Sequence, residues 1–454
     1  MQSENPMTLP TAQSNPIGRK SNPQSTIDNL HSIPSAFLAA IIALGLCLTG
    51  CSGAESSMVQ PTSPDSSLVE AATLRDSLRL CRTGDLADAR PWLQQWVNRH
   101  PDDATGHAWF ARALFRDGKP REAASQANRA VKTSGCNSFA YTTRGDVTNP
   151  QFVLESERSA DAVWRDYQQA VTCNPDAGIA WISMWPLATQ RGDADAAHRA
   201  IQRIHELDFF PGPVQTLARW MFATVPPDAL LLTNGDADTY PLLGLQQVDG
   251  RRTDIAVVNA SLLNLPAYVE YVSGQYDLPL PMASDSLRAF RPYAEEDGDV
   301  ITLSKAVVKA WYDMQATGKL TRPVVGAPTL TASTFDGLHD LQTTSIGAYT
   351  HTDPDTPPLR DASRITQSFL SLDASDFEGP VASHLDMSCI RQSSTGLRTV
   401  ILYYAVSYAD VMIEQDRPLP ARQILNWVDR LRPDLDLEPD VVRYLHTLRE
   451  RLES

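Results

Sequence analysis

Two carboxylates stand two residues apart in Asn234-Gly235-Asp236-Ala237-Asp238, directly after the apolar run Ala229–Thr233. Carboxylate oxygens are hard, charged acceptors, so the pair could hold a cation or accept hydrogen bonds from sugar hydroxyls. The same residues could instead start a helix, with Asp238 or Thr239 accepting from free backbone N–H groups just ahead of Pro241. Asn259, Ser261 and Asn264 close a second apolar run, Asp254–Ser261, and could join the same rim or simply satisfy a turn. Asn234, Asp236, Asp238 and Asn259 are therefore the candidate ligand-binding residues, with capping as the competing use. Cys136 and Cys173 each precede an asparagine and each follow a helical pattern. They are a candidate disulfide, with two buried thiols as the alternative. The nine histidines show no metal-ligand spacing, and the chain has no Gly-rich phosphate loop, no Gly-x-Ser-x-Gly elbow and no His-Glu-x-x-His. No catalytic residue, metal or cofactor is expected.

The elements that must position these residues are of two kinds. From Ala229 the order is an apolar strand, a turn at Asn234-Gly235, a helical pattern over Tyr240–Val248 that stops at Gly250, and a second strand. That order predicts a parallel βαβ unit, whose ligands sit beyond the carboxyl ends of the strands. Arg322–Ala332 is a further strand candidate, and Ser304–Thr317 and Ala362–Leu370 are predicted helices. Upstream, Gly84-Asp-Leu-Ala-Asp-Ala89 recurs 34 residues later as Gly118-Lys-Pro-Arg-Glu-Ala123, and again as Gly192-Asp-Ala-Asp-Ala-Ala197. Pro101 and Pro175 lie 74 residues apart, as do Gly118 and Gly192, which is two periods plus six extra residues. The extra residues fall in the polar stretch Gly145–Ser156. Glycine at the inter-helix turn, alanine where helices touch and proline after the second helix resemble the tetratricopeptide repeat.

Residues Ala36–Leu48 form an uncharged apolar run behind Arg19 and Lys20, and it ends in Leu48-Thr49-Gly50-Cys51. The run is too short to span a bilayer, which takes about 20 apolar residues, but it suits a secretory signal. The ending resembles the lipobox of bacterial lipoproteins, which implies diacylglyceryl transfer to Cys51, cleavage ahead of it, and membrane anchoring by the acyl chains. Residues Ser52–Ser67 are small and polar and suit a flexible tether. Ser52-Gly53 carries no acidic retention residue, which favours the outer membrane over the inner, facing the periplasm or the surface. Outside the cytoplasm a disulfide can persist. The formal charge of −15 excludes a nucleic-acid partner, which needs clustered Lys and Arg.

The segment from Pro226 to Pro433 resembles the extracytoplasmic C-terminal part of a bacterial membrane-protein family of unknown function, whose N-terminal domain is glycosyltransferase-like (protein O-mannosyltransferase-like). The resemblance rests on Asn234-Gly235-Asp236-x-Asp238-Thr239, Tyr240-Pro241-Leu242, Gly250-Arg251, Val257-Val258-Asn259-x-Ser261-Leu262-Leu263-Asn264 and Arg322-Pro323-Val324. It implies an envelope location and a link to glycans. The multi-pass catalytic domain has no counterpart in this chain, so transferase activity does not carry over, and Ala237 stands where the family is usually polar.

The sequence thus predicts an α-rich mixed protein in five parts. These are a lipoprotein signal peptide (1–50), a tether (51–67), tetratricopeptide-like helical repeats (68–222), an α/β domain (226–395) and a C-terminal helix pair (396–454). The expected function is a membrane-tethered, non-enzymatic protein-interaction or scaffold lipoprotein of the cell envelope, with a protein or peptide partner. The alternative is a glycan-binding or accessory component of an envelope glycosylation system.

Overall fold

A computed structural model of the chain describes residues 89–453, apart from 152, 154–155, 211, 296–297, 331–343, 347–348, 352–361, 378–387, 433–436 and 438. The expected signal peptide and tether, Cys51 and the first copy of the repeat up to Asp88 lie outside the described residues. Among the described residues, no helix is long and apolar enough to cross a membrane.

The chain opens with helices α1 (Arg90–Arg99), α2 (Ala104–Arg116), α3 (Pro120–Thr133), α4 (Ser138–Val147), α5 (Ala160–Cys173), α6 (Gly178–Gln190), α7 (Ala194–Glu206) and α8 (Gly212–Thr224). Helices α2/α3, α4/α5 and α6/α7 are consecutive pairs in mutual contact, a tetratricopeptide-type array. The repeat signals do the work expected of them. Gly118 and Gly192 turn the chain between paired helices at φ +71° and +68°, a region in which an L side chain is strained. Ala123, Ala127 and Ala130 of α3 are fully buried, as small residues must be where helices approach closely. The six extra residues fall between α4 and α5. There Arg158 and Arg144 both grip Asp166 of α5, and Ser156 donates to the Thr148 carbonyl, so the insertion is pinned down. A disulfide joins Cys136, ahead of α4, to Cys173, at the end of α5.

The second half contains β1 (Leu230–Thr233), α9 (Asp236–Gln247), β2 (Ala256–Asn259), α10 (Pro266–Gln275), α11 (Ser284–Ala289), the short hairpin β3 (Tyr293–Ala294) and β4 (Val300–Ile301), α12 (Leu303–Ala316), β5 (Val324–Gly326), β6 (Thr344–Ile346), β7 (Tyr349–His351) and α13 (Ala362–Leu370). The main sheet has the order β2-β1-β5-β7-β6. β1 is parallel to β2 and to β5, as the βαβ reading requires, and pairs Leu230 with Ala256 and with Val324. β7 runs antiparallel to β5 and to β6, so the sheet is mixed, with a hairpin edge that the sequence pattern did not signal. β1 and β2 are buried at every position, which is why they read as continuous apolar runs rather than as alternation.

The chain ends in α14 (Ser388–Glu414), α15 (Pro418–Leu431) and α16 (Pro439–Glu453). Both expected terminal helices are present, as α14 and α15, and a third, α16, follows them. Val441, Leu445 and Leu448 give α16 one apolar stripe buried against its neighbours, a narrow signal in an otherwise polar stretch. One continuous apolar core runs from Val163 of α5 through the sheet to Leu448 of α16, a smaller separate cluster holds α1, α2 and α3 with Val147 of α4 around Leu93, Phe110 and Leu114, and a third joins Ala108, Ala130 and Ala140 of α2, α3 and α4.

The two halves are clamped at the end of α8. The last carbonyls of a helix lack intrahelical donors. Arg252, held at φ +46°, donates to the carbonyls of Phe222, Val225 and Pro226, and Arg364 donates to those of Ala223, Thr224 and Val225. Arg252→Ala is expected to cost about 2 kcal/mol by stranding these acceptors. Arg252→Lys should recover little, since one ammonium cannot span carbonyls that a planar fork can. Urea midpoints of the two variants check this; a full rescue by lysine would contradict it.

Candidate functional site

The rim beyond the carboxyl ends of β1 and β2 is built by the turn into α9. That helix starts one turn earlier than the pattern over Tyr240–Val248 suggested, with Gly235 as its N-cap residue. The correction has a physical cause. Asp238, in the first turn, reaches back and accepts from the backbone N–H of Asn234 at 2.7 Å and of Gly235 at 2.8 Å, and the Thr329 hydroxyl also donates to it. These bonds stabilise a start at Asp236, and Pro241 then sits inside the helix, at the position where its missing N–H leaves one carbonyl unbonded. Asp238 is 2% exposed. Burial pushes its carboxyl up from the ordinary value, against the opposing pull of the Asn234, Thr329 and Gly235 hydrogen bonds. Asp238 is thus a structural acceptor at the helix start and is unavailable to a ligand.

Asn259 is brought to the same rim, opposite Thr233 in the β1–β2 register, and is likewise occupied. Its Nδ2 donates to Thr239 Oγ1 at 3.1 Å, and its Oδ1 accepts from the N–H of Ser261 at 3.0 Å and of Leu262 at 3.2 Å. Ser261 donates to the Asn234 carbonyl at 2.8 Å, and Asn264 accepts from the Ser304 N–H at 3.2 Å. The turn-closing use holds for all three. Of the four candidates, Asn234 and Asp236 keep side chains that bond to nothing among the described residues, next to a Gly235 that faces open space.

Asp236 is exposed, yet protein crowds around it, and this partial loss of water, followed by the charges of Asp238 and Asp146, pushes its carboxyl up to about 6. Asp146 comes from α4, so the rim of the α/β half faces the helical array. Asp146 itself is raised by burial, offset by Arg112, Ser183 and Tyr167. Arg112 of α2 pairs with it at 2.7 Å and donates to Thr143 at 3.0 Å, while the Tyr167 hydroxyl donates to it at 3.0 Å. Tyr240 of α9 donates to the Ile182 carbonyl of α6 at 2.9 Å, and its ring meets Trp185 edge-on at 5.3 Å. The candidate surface is therefore shared between the halves, and Arg112, Asp146 and Ser183 were missed from the sequence. The signal was present: Arg112 and Asp146 are 34 residues apart, equivalent positions in successive repeats. Among the described residues no group of His, Cys, Asp or Glu is arranged to hold a metal ion.

The raised Asp236 carboxyl sets a pH dependence. An unfolded aspartate titrates near pH 4, so between about pH 4 and 6 the folded state holds a proton that the unfolded chain has lost. Stability should fall as pH rises through that window. Asp236→Asn should melt above the wild type at pH 7 and alongside it at pH 4; equal melting at both would contradict the assignment.

Residues 214–336 match the family model described as TMEM260-associated domain 2, a span that runs from α8 past β5 and contains the whole rim. No curated protein matches the chain. Among solved structures it is similar to the crystal structure of MamA, with 14% identity and a TM-score of 0.25 over 45% of this chain and 92% of that one. A tetratricopeptide repeat protein from Parabacteroides merdae ATCC 43184 aligns at 10% identity and a TM-score of 0.27, over 85% of this chain and 100% of that one. Yeast Tom70 aligns at 9% identity and a TM-score of 0.27, over 95% of this chain and 72% of that one. The region from β1 to β5 is thus similar to TMEM260-associated domain 2, and the helical array stands on the helix pairs described above.

Proposed function

We propose that the chain is a lipid-tethered, non-enzymatic interaction protein of the cell envelope, anchored through Cys51 and presenting its helical array to a protein partner. The observation that carries this reading is the face of α2 and α4 around Trp109 and Phe139. These rings meet at 4.8 Å and stay only partly buried, Trp109 against the cluster around Leu93 and Phe139 against Ala108, Ala130 and Ala140. Side chains of this kind on a repeat array suit a peptide or protein surface. The lipobox-like ending supports the anchor. Cys51→Ala should leave an uncut precursor that takes up no radioactive fatty acid, and label retained on the variant would end the anchor reading. Capture from envelope extracts by the native protein should yield a partner that Trp109→Ala loses. A second reading, an accessory to envelope glycosylation, is favoured by the free side chains of Asn234 and Asp236. It requires that an envelope glycan raise the melting temperature of the wild type but not of Asp236→Asn.

A further inference from the structure

Among the described residues, the face of the array is closed at one end and open at the other. At the closed end α10 packs on α6, and α9 packs on α7 and α8. Toward the N-terminus, α2 and α4 make their main contacts only with each other and with α1, α3, α5 and α6. The open stretch is therefore continuous with an interface that the chain already fills with its own helices.

The charges along this stretch are not balanced. Arg112 lies over the Phe139 ring at 5.1 Å, and its charge is already met by Asp146. Beyond that ion pair comes Asp236, to which no cation and no hydrogen-bond donor comes among the described residues. The order along the face is an aromatic pair, a neutralised ion pair, then an uncompensated carboxylate in a crowded place. An exposed carboxylate that lies near two other carboxylates favours a ligand that brings the opposite charge. The chain's formal charge of −15 favours encounter with a cation over the whole surface.

We propose that this stretch docks an extended segment of a partner protein that lays apolar side chains on Trp109 and Phe139 and places a lysine or arginine against Asp236. The assignment rests on the interaction-protein reading and adds the partner's chemistry to it. The raised carboxyl of Asp236 fits such a partner, because a bound cation would lower it again and so bind more tightly as pH rises through about 6.

The test uses the full chain in detergent and two labelled peptides, one alternating leucine with lysine and one alternating leucine with glutamate, read by fluorescence anisotropy. The lysine peptide should bind and the glutamate peptide should not. Asp236→Asn and Trp109→Ala should each weaken the lysine peptide at least about tenfold, which corresponds to about 1.4 kcal/mol. Asp285→Asn, which removes an exposed carboxylate on α11, should leave its affinity unchanged. Thermal melts establish that each variant is folded. Equal binding of the two peptides, or a silent Asp236→Asn, overturns the cationic partner, while a loss on Trp109→Ala in the same experiment leaves the interaction face standing. If neither peptide binds, both readings fall. If spermine displaces the lysine peptide as tightly from Trp109→Ala as from the wild type, the site takes a small polyamine and the proposal is overturned.

Discussion

Asp238→Ala is expected to cost about 3 kcal/mol, the larger of the two rim effects by far. The substitution strands the N–H groups of Asn234 and Gly235 and the Thr329 hydroxyl, all beside a side chain only 2% exposed. Hydrogen bonds to a charged acceptor contribute about 1.5–3 kcal/mol each, and the burial of the carboxylate offsets part of that. Because Thr329 follows β5, the loss should loosen the sheet edge as well as the start of α9. Asp238→Asn keeps one acceptor oxygen and should recover part of the loss. Chemical denaturation of the two variants beside Asp236→Asn decides the matter. If Asp236→Asn is the more destabilised, the structural and free roles have been exchanged.

The sequence made the rim visible but not its division of labour. Asn234, Asp236, Asp238 and Asn259 were all legible as polar residues at the ends of buried strands, because a fully apolar strand followed by Asn-Gly-Asp has few other readings. Which of them stays free depends on donors far away in the chain. Thr329 is 91 residues from Asp238, and no local pattern announces that contact. The start of α9 was misplaced for the same reason, since proline is favoured near helix starts and only the backward reach of Asp238 places the start earlier. The helix pairs, by contrast, were legible in their glycine, alanine and proline spacing, which is local chemistry repeated. The β6–β7 hairpin and α16 were not, since short strands and a narrow apolar stripe give weak periodic signals.

Phe369→Ala should be the most damaging single change in the core, at about 4 kcal/mol. The ring is fully buried on α13, with the Trp220 ring of α8 at 5.1 Å, that of Trp427 of α15 at 5.6 Å and that of Tyr408 of α14 at 5.7 Å. Removing a buried phenylalanine costs about 3–5 kcal/mol, and the lost ring–ring contacts add to it. Because the ring touches three helices, the cavity cannot close by moving any one of them. Far-ultraviolet circular dichroism during urea unfolding gives the midpoint. A midpoint within experimental error of the wild type would show that the four helices do not depend on this ring.

The division of the apolar core into separate clusters has a dynamic consequence. The helices from α5 onward share one core with the sheet, whereas α1–α4 meet in two small clusters of their own. In native-state hydrogen exchange the backbone amides of α1–α3 should exchange through sub-global opening at low free energy, well before those of β1, β2 and α14. The disulfide joins the start of α4 to the end of α5, so the opening unit should stop there. Trp109 on α2 thus belongs to the segment expected to open, while Phe139 sits on α4, which the disulfide ties to α5. A partner that bridged both would slow exchange in α2 without touching most of it.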